Sequence, residues 1–143
     1  MFHRAPREQL VDCAHSVQIG IRIEYNYRQH PYRVIDAAEA NDLPVAELVD
    51  SVRDCAGNRP VYISFDIDCL DPAFAPGTGT PVAGGLGTDR ILKILRGLKG
   101  LRLVAMDIME VAPCYDHAEI TSLAATTLGL EFIYLLADRK QPG

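Results

Sequence analysis

Two aspartates that stand two residues apart, directly after an apolar run, are the residues of this sequence that could hold a metal ion. Asp66 and Asp68 follow residues 60–65, which read PVYISF and are rich in β-branched and aromatic side chains. That composition predicts a buried strand covered on both faces. In extended chain, side chains at this spacing lie on the same face. Two carboxylates in one cavity are costly to keep ionised without a cation, which favours a divalent metal.

The short Asp-x-Asp pattern has a second interpretation, because loop carboxylates often cap a helix or bind water at a turn. Three other ligand motifs do not match the residues that follow. A calcium loop starting at Asp66 would need glycine where Asp71 stands and glutamate where Gly77 stands. The segment 77–80, GTGT, lacks the Gly-Lys of a phosphate loop, and Val82 replaces the third glycine of a dinucleotide motif.

Strands alternating with helices must position these carboxylates. The hydrophobic patterns predict strands over residues 16–22, 33–36, 60–65 and 101–106, and helices over residues 45–57, 88–100 and 116–138. This alternation predicts an α/β fold with a parallel sheet. Ligands of such sheets bind beyond the carboxyl ends of the strands. We therefore expect Glu110, which follows the last strand, to face the same cavity as Asp66 and Asp68.

The helix boundaries carry their own signals. Thr88 is a suitable N-cap, and Asp116 with Glu119 has the spacing of a capping box for the last helix. The apolar stretch 120–136 is interrupted by Glu131. We interpret it as a core helix that is too short to span a bilayer.

Three longer motifs resemble those of the arginase/agmatinase family. Residues 64–86, SFDIDCLDPAFAPGTGTPVAGGL, are similar to the family signature. Residues 105–113, AMDIMEVAP, resemble a later family motif, and residues 16–22, SVQIGIR, strengthen the match. The resemblance covers essentially the whole chain. Residues 112–116, APCYD, and the Pro76-Gly77 pair are more similar to agmatinases than to arginases.

The resemblance implies a fold and a site. Residues 1–143 would form the C-terminal portion of a single ureohydrolase domain, with a three-layer arginase-like fold in which helices flank a parallel sheet. The implied reaction is hydrolysis of agmatine to putrescine and urea at a site with two Mn²⁺ ions. Asp66 would bridge the ions and Asp68 would bind one of them. Glu110 would bind the guanidinium, which suits a carboxylate, and Thr80 would line the substrate pocket.

The chain also departs from the family pattern. Family members carry a histidine ligand, an Asp-Ala-His-x-Asp cluster and a His-Gly-Thr segment, and none of these occurs in this sequence. The histidines that are present, His3, His15, His30 and His117, lack the spacing to replace them. We therefore expect weak Mn²⁺ binding and no appreciable agmatine hydrolysis by this chain alone. Guanidinobutyrate, arginine or another guanidino compound stays open as substrate, as does an inactive fragment that serves as an assembly module.

Other residues near the motifs have structural interpretations. We interpret Asp71 as a loop-bracing acid, Asp107 as a structural residue at a strand end, and His117 as a helix-entry histidine. The four cysteines, Cys13, Cys55, Cys69 and Cys114, are widely spaced, which indicates reduced thiols.

Composition limits the partners. The sequence is 48% hydrophobic and 23% charged, with a net charge of -5, which is typical of a globular protein. No basic stripe indicates nucleic acid or an anionic membrane as partner, so a small molecule is favoured. We expect a cytoplasmic protein. The family resemblance implies a homo-oligomer, a trimer or a hexamer, in complete form.

Overall fold

A computed structural model describes residues 4–23 and 31–138 of the chain, in which strands alternate with helices. The strands are β1 (Val17–Ile21), β2 (Arg33–Asp36), β3 (Val61–Asp66) and β4 (Leu103–Met109). The α-helices are α1 (Ala37–Asp42), α2 (Val45–Ala56), α3 (Thr88–Gly97) and α4 (Ile120–Asp138). Short 3-10 turns occupy Cys13–His15, Ile67–Cys69, Pro113–Tyr115 and His117–Glu119. His3 and His30, considered above as ligands, lie outside the described residues.

The strands pair in parallel, which confirms the α/β prediction. β1 pairs with β2, and β3 pairs with β4, as two two-stranded sheets within the described part of the chain. In the second sheet Ser64 stands opposite Asp107 and Asp66 opposite Met109, so β3 and β4 end side by side. Parallel pairing brings both carboxyl ends to one edge of the sheet, where the candidate site residues lie.

β4 extends three residues beyond its predicted end. Asp107 was expected at the end of a strand that stopped at residue 106, but it lies inside β4. Aspartate is unfavourable in strands. Here its carboxylate accepts hydrogen bonds from the hydroxyls of Tyr62 and Ser64 on β3, the latter at 2.8 Å, and this offsets the poor propensity. The structural role predicted for Asp107 is thus confirmed, while its predicted position was wrong.

The prediction that β3 is covered on both faces was wrong for the described residues. Phe65 is buried in the core, but Tyr62 is 51% exposed. On β4, Val104 is 49% exposed. The apolar composition of a strand thus shows that it can be buried, and the elements packed on each face decide whether it is.

The core lies between the helices and the second sheet. Its most buried large side chains are Leu48, Ile67, Leu70, Leu86, Leu103 and Leu128. α2 and α3 approach so closely that a Cβ on Gly97 would lie 2.3 Å from Cγ2 of Val49. The guanidinium of Arg53 donates to the carbonyl oxygens of Gly97 and Lys99, both at 2.6 Å, and so caps the end of α3.

Two helix starts differ from the predictions. α1 was not predicted, and it ends at residue 42, shortly before α2 begins. Asp36 caps α1 by accepting a hydrogen bond from the backbone N–H of Glu39 at 2.9 Å. Thr88 is the first residue of α3, and Gly87 occupies the N-cap position without a side-chain bond. The N-cap predicted at Thr88 was therefore wrong by one residue.

Asp116 caps α4, as predicted, but without a capping box. Its carboxylate accepts hydrogen bonds from the backbone N–H groups of Thr121 and Ser122, both at 2.9 Å. These N–H groups are in the first turn of the helix, since α4 begins at residue 120. Glu119 has a φ of +58° and lies before the helix, so it cannot supply the reciprocal bond.

α4 is a core helix on one face only. Thr121, Ala124, Leu128 and Phe132 are buried, whereas Leu123, Ile133 and Tyr134 are each at least 60% exposed. Over residues 117–138 the helical segment reaches a mean hydropathy of 1.6, so by length and composition alone it could cross a membrane. The apolar stretch 120–136, interpreted from the sequence as too short to span a bilayer, is only part of this longer segment. The buried face packs against α3 and β4.

Candidate metal and substrate site

The candidate metal ligands lie at the carboxyl end of β3. Asp66 is the last residue of the strand, and its Oδ1 accepts a hydrogen bond from the backbone N–H of Asp68 at 2.9 Å. The chain between them forms the turn Ile67–Cys69 and is not extended. Asp66 is therefore both a cap for this turn and a candidate ligand. The two interpretations of the Asp-x-Asp pattern are compatible in this structure.

Asp68 is a buried carboxylate held by three groups. It is 5% exposed. Oδ1 accepts a hydrogen bond from the hydroxyl of Thr78, and Oδ2 accepts one from the hydroxyl of Thr80. Nη2 of Arg22 lies 3.8 Å from Oδ2 and supplies positive charge. Such pairing is what makes burial of a carboxylate tolerable.

The loop that carries both threonines is fixed to the start of α4. The backbone N–H of Gly77 donates to Oγ1 of Thr121 at 2.7 Å, and the carbonyl oxygen of Gly77 accepts from the N–H of Ala112 at 2.8 Å. A Cβ on Gly77 would lie only 2.5 Å from Cβ of Asp116. Only glycine allows this approach.

Glu110 directly follows β4, next to the same loop. Its backbone has a φ of +64°, which turns the chain sharply at the end of the strand. A Cβ built on Gly79 would lie 3.8 Å from Oε2 of Glu110, so the glutamate carboxylate is adjacent to the loop. The structure thus places Glu110 beside the loop whose threonines bind Asp68. Thr80, predicted to line a substrate pocket, uses its hydroxyl on Asp68 in the structure.

The site carries an excess of negative charge. Burial raises the pKa of the Asp66 carboxyl above its usual value, and the charges of Asp68 and Glu110 raise it further. The N–H of Asp68 and the guanidinium of Arg22 act in the opposite direction and do not cancel the rise. A cation bound beside Asp66 would relieve this repulsion.

Hard carboxylate oxygens fit a divalent cation such as Mn²⁺ or Mg²⁺, but they form only part of a binding site. Within residues 4–23 and 31–138, no three His, Cys, Asp or Glu side chains cluster as a metal site. Cys69 is close to the aspartates, yet burial raises the pKa of its thiol to about 12. A thiol is also a softer ligand than a carboxylate, and carboxylate oxygens suit Mn²⁺ or Mg²⁺ better. Asp66 and Asp68 are the candidates that remain.

Neighbouring polar residues have structural partners. The carboxylate of Asp71 accepts from the backbone N–H groups of Ala73 and Gly84, at 2.9 and 2.8 Å, which confirms its loop-bracing role. These bonds hold the pKa of Asp71 below its usual value. His117 lies in the turn directly before α4, as a helix-entry residue should. All four cysteines are free thiols, as predicted.

Two residues of the site were missed in the sequence. Thr78 stands two positions before Thr80, and this Thr-x-Thr spacing could have indicated two hydroxyls directed to one acceptor. Arg22 is the last residue of the motif at 16–22, but it faces Asp68 across 46 positions of chain. Nothing local in the sequence indicates that contact.

The structure defines an α/β protein whose acidic site lies at the carboxyl ends of two paired parallel strands. The family model of the arginase family matches residues 1–134 of the chain. The chain therefore belongs to the arginase family. This finding confirms the family resemblance of the three sequence motifs.

Individual proteins show the same relationship. The chain is 57% identical to an agmatinase of Serratia proteamaculans (strain 568) over 140 residues, which cover 98% of the chain and 45% of that protein. A hypothetical agmatinase from Burkholderia thailandensis matches with a TM-score of 0.93 and 45% identity, covering 97% of this chain and 44% of that one. Proclavaminate amidino hydrolase from Streptomyces clavuligerus matches with a TM-score of 0.90 and 48% identity, covering 96% and 47%. The chain spans less than half the length of these relatives.

Proposed function

We propose that this chain supplies the carboxylate part of a metal-dependent ureohydrolase site. In this proposal Asp66 and Asp68 hold divalent metal and Glu110 binds the guanidinium of the substrate. The observation that carries it is the convergence of the carboxylates at the ends of β3 and β4, where burial, and then the charges of Asp68 and Glu110, raise the pKa of Asp66. A cationic metal and a cationic guanidinium both suit that field.

The metal we propose is Mn²⁺, as two ions, for which Asp66 would serve as the shared ligand and Asp68 would hold one ion. When bound, ions of this kind would supply Lewis acidity and activate water at neutral pH. The residues of this chain hold the two metal-binding aspartates in place. The short turn Ile67–Cys69 sets the distance between the two aspartates, and the threonine hydroxyls fix the carboxylate of Asp68.

The substrate we propose is agmatine, hydrolysed to putrescine and urea by the complete protein. The names of the similar agmatinases support this choice. Glu110 would orient the planar guanidinium by paired hydrogen bonds, and Thr80 would lie beside it at the pocket wall. Similarity to an amidino hydrolase named for proclavaminate supports another linear guanidino compound as second candidate. Urea release from agmatine, guanidinobutyrate and arginine would separate these substrates.

The proposal also covers the location, partners and oligomeric state of the protein. We propose a cytoplasmic enzyme without nucleic-acid or membrane partners, which is consistent with a small polar substrate. A homo-oligomer, trimer or hexamer, is proposed for the complete form. Because the relatives are about twice as long, further metal ligands are proposed to come from sequence outside this chain.

Metal occupancy tests the assignment of the two aspartates. In a complete protein we expect Asp66→Ala and Asp68→Ala each to lower bound Mn²⁺, with the larger loss for Asp66 because a shared ligand serves both ions. Elemental analysis after dialysis measures the occupancy. Asp89→Ala, an exposed acid on α3, is the control and should retain its metal. Full occupancy in both site variants would remove them from the ligand set.

Urea production tests whether this chain needs further ligands. We expect no appreciable urea from agmatine and Mn²⁺ with the 143-residue chain alone, and urea after mixing with a separately made N-terminal segment of a relative. Turnover by the chain alone would disprove the need for further ligands. Failure in both cases, together with normal folding, would support the alternative of an inactive assembly module.

A further inference from the structure

We propose that Thr78 is a positioning residue that couples the metal carboxylate Asp68 to the segment carrying Glu110. This inference rests on the proposed function of those two residues and adds a role for Thr78, a residue of the 64–86 motif to which the sequence analysis assigned none. It follows from the contacts of the Thr78 side chain and of the loop that carries it.

The side chain of Thr78 is committed to Asp68. Its hydroxyl donates to Oδ1 of Asp68, and the two residues are 4% and 5% exposed. Water therefore has little access to replace this bond if the hydroxyl is lost. A buried carboxylate oxygen deprived of its donor would have to turn or move to find another.

Thr80 offers a useful contrast. Its hydroxyl donates to Oδ2 of the same carboxylate, but the residue is exposed. Water therefore reaches the Thr80 end of this partly buried bond more readily than it reaches the buried bond of Thr78. Of the two threonines, Thr78 is therefore the one whose hydroxyl is harder for water to replace.

The loop around Thr78 is bound to the other half of the site. Thr78 stands opposite Val111, the residue directly after Glu110, in an antiparallel bridge. The backbone hydrogen bond of this bridge runs from the N–H of Ala112 to the carbonyl oxygen of Gly77 at 2.8 Å. One short loop thus contacts Asp68 through the side chain of Thr78 and the Glu110 segment through the backbone of Gly77. Catalysis depends on small differences in the distance between such groups. This connection sets the position of the metal ligand Asp68 relative to Glu110, the residue that binds the substrate.

Mn²⁺ binding by the 143-residue chain, measured by electron paramagnetic resonance, tests the proposal. Thr78→Val keeps the β-branched shape and removes the hydroxyl, and we expect affinity to fall roughly 10- to 100-fold. Thr78→Ser restores the hydroxyl and should return affinity to within about threefold of the parent. Thr126→Val, which removes an exposed helical hydroxyl, is the control and should not change it.

Each outcome decides the proposal. Equal loss in the Val and Ser variants, or no loss in either, would overturn it, since the hydroxyl would then not matter. If Thr78→Val does not fold, Thr78→Ala replaces it with the same expected loss. Asp68→Asn separates this inference from the proposed function. Loss of binding in Asp68→Asn with normal binding in Thr78→Val would refute only the role of Thr78, and normal binding in both variants would refute both.

Discussion

At the scale of single residues, Glu110 and the two aspartates share one region of negative charge but belong to different strands. Asp66 is the last residue of β3 and Asp68 follows that strand, whereas Glu110 follows β4. A substitution at Glu110 should therefore leave the metal carboxylates in place. This separation allows substrate binding and metal binding to be measured independently.

We expect Glu110→Gln to weaken guanidino-substrate binding in a complete protein while leaving metal content near normal. The neutral amide loses a charge-assisted hydrogen bond to the guanidinium, which corresponds to a rise in KM of roughly 10- to 100-fold. Steady-state urea release and elemental analysis provide the two measurements. Glu47→Gln, in the first turn of α2 and away from the site, is the control. Unchanged KM and kcat would remove Glu110 from the site.

Asp116 makes a pH-dependent contribution to stability. Partial burial raises the pKa of its carboxyl, but the N–H groups of Thr121 and Ser122 outweigh this and lower it from 3.8 to about 2. A carboxyl with a lowered pKa stabilises the fold above its unfolded pKa, and that stabilisation is lost as the pH falls toward the folded value.

We expect the free energy of unfolding to fall between about pH 4 and pH 2, and to fall less steeply in Asp116→Asn. The variant should also be less stable at pH 7, because the charged helix cap is gone. Denaturant unfolding at a series of pH values measures both effects. Asp71 also has a lowered pKa, so the difference between parent and variant is the informative quantity. Parallel pH profiles would contradict the prediction.

The sequence predicted site residues where local pattern and chemistry coincide. Asp71 stands before a proline in a loop, and its bracing bonds reach nearby N–H groups within that loop and at Gly84. Thr78 and Arg22 could not be assigned in this way, because their partner Asp68 is brought to them by the fold. The Thr-x-Thr spacing indicates two hydroxyls near one acceptor, but it does not identify Asp68 as that acceptor.

At the scale of secondary-structure elements, the contact between the loop at residue 77 and the start of α4 should be sensitive to volume. Gly77→Ala would place a Cβ 2.5 Å from Cβ of Asp116 and 2.7 Å from its Cα. Because backbone atoms must then move, we expect a loss of about 1–3 kcal/mol in the free energy of unfolding. Weaker Mn²⁺ binding should accompany it, since the loop also carries Thr78.

Gly129→Ala is the matched control for that substitution. Gly129 lies in α4, and an added Cβ there would meet Cδ1 of Ile108 at an ordinary 3.5 Å. Alanine favours a helix over glycine, so we expect this variant to gain about 0.5–1 kcal/mol. Chemical denaturation of both variants makes the comparison. Equal stability of the two would show that the close contact at Gly77 has no energetic consequence.

Element type was predictable from the sequence more reliably than element ends. The apolar period of residues 45, 48, 49 and 52 predicted α2, and Gly57 ends it with a φ of +56°. α1 was missed because its six residues contain too few apolar side chains to show a period. The end of β4 was missed because its last residues are stabilised by pairing with β3, which is a tertiary contact.

At the scale of the whole molecule, the outer face of α4 is an exposed apolar surface. Leu123, Ile133 and Tyr134 are each at least 60% exposed, and Leu130 is 47% exposed. Apolar side chains grouped in this way favour contact with another polypeptide. We therefore expect the chain to associate as its concentration rises.

Analytical ultracentrifugation measures this association. The double variant Leu123→Lys with Ile133→Lys should shift the chain toward the monomer without loss of helix content, because both side chains point to solvent. Leu128→Ala is the contrasting control. Leu128 is fully buried, so its truncation should cost about 2–5 kcal/mol of stability. A parent chain that stays monomeric at high concentration would contradict the expectation.

Arg22 has a consequence for the order in which the protein matures. Its guanidinium lies 3.8 Å from the buried carboxylate of Asp68, so an internal cation is already present where a metal would otherwise have to balance the charge. Burial of Asp68 in the folded chain therefore does not require a bound ion to balance its charge. A cation that binds beside Asp66 would meet a chain that is already folded.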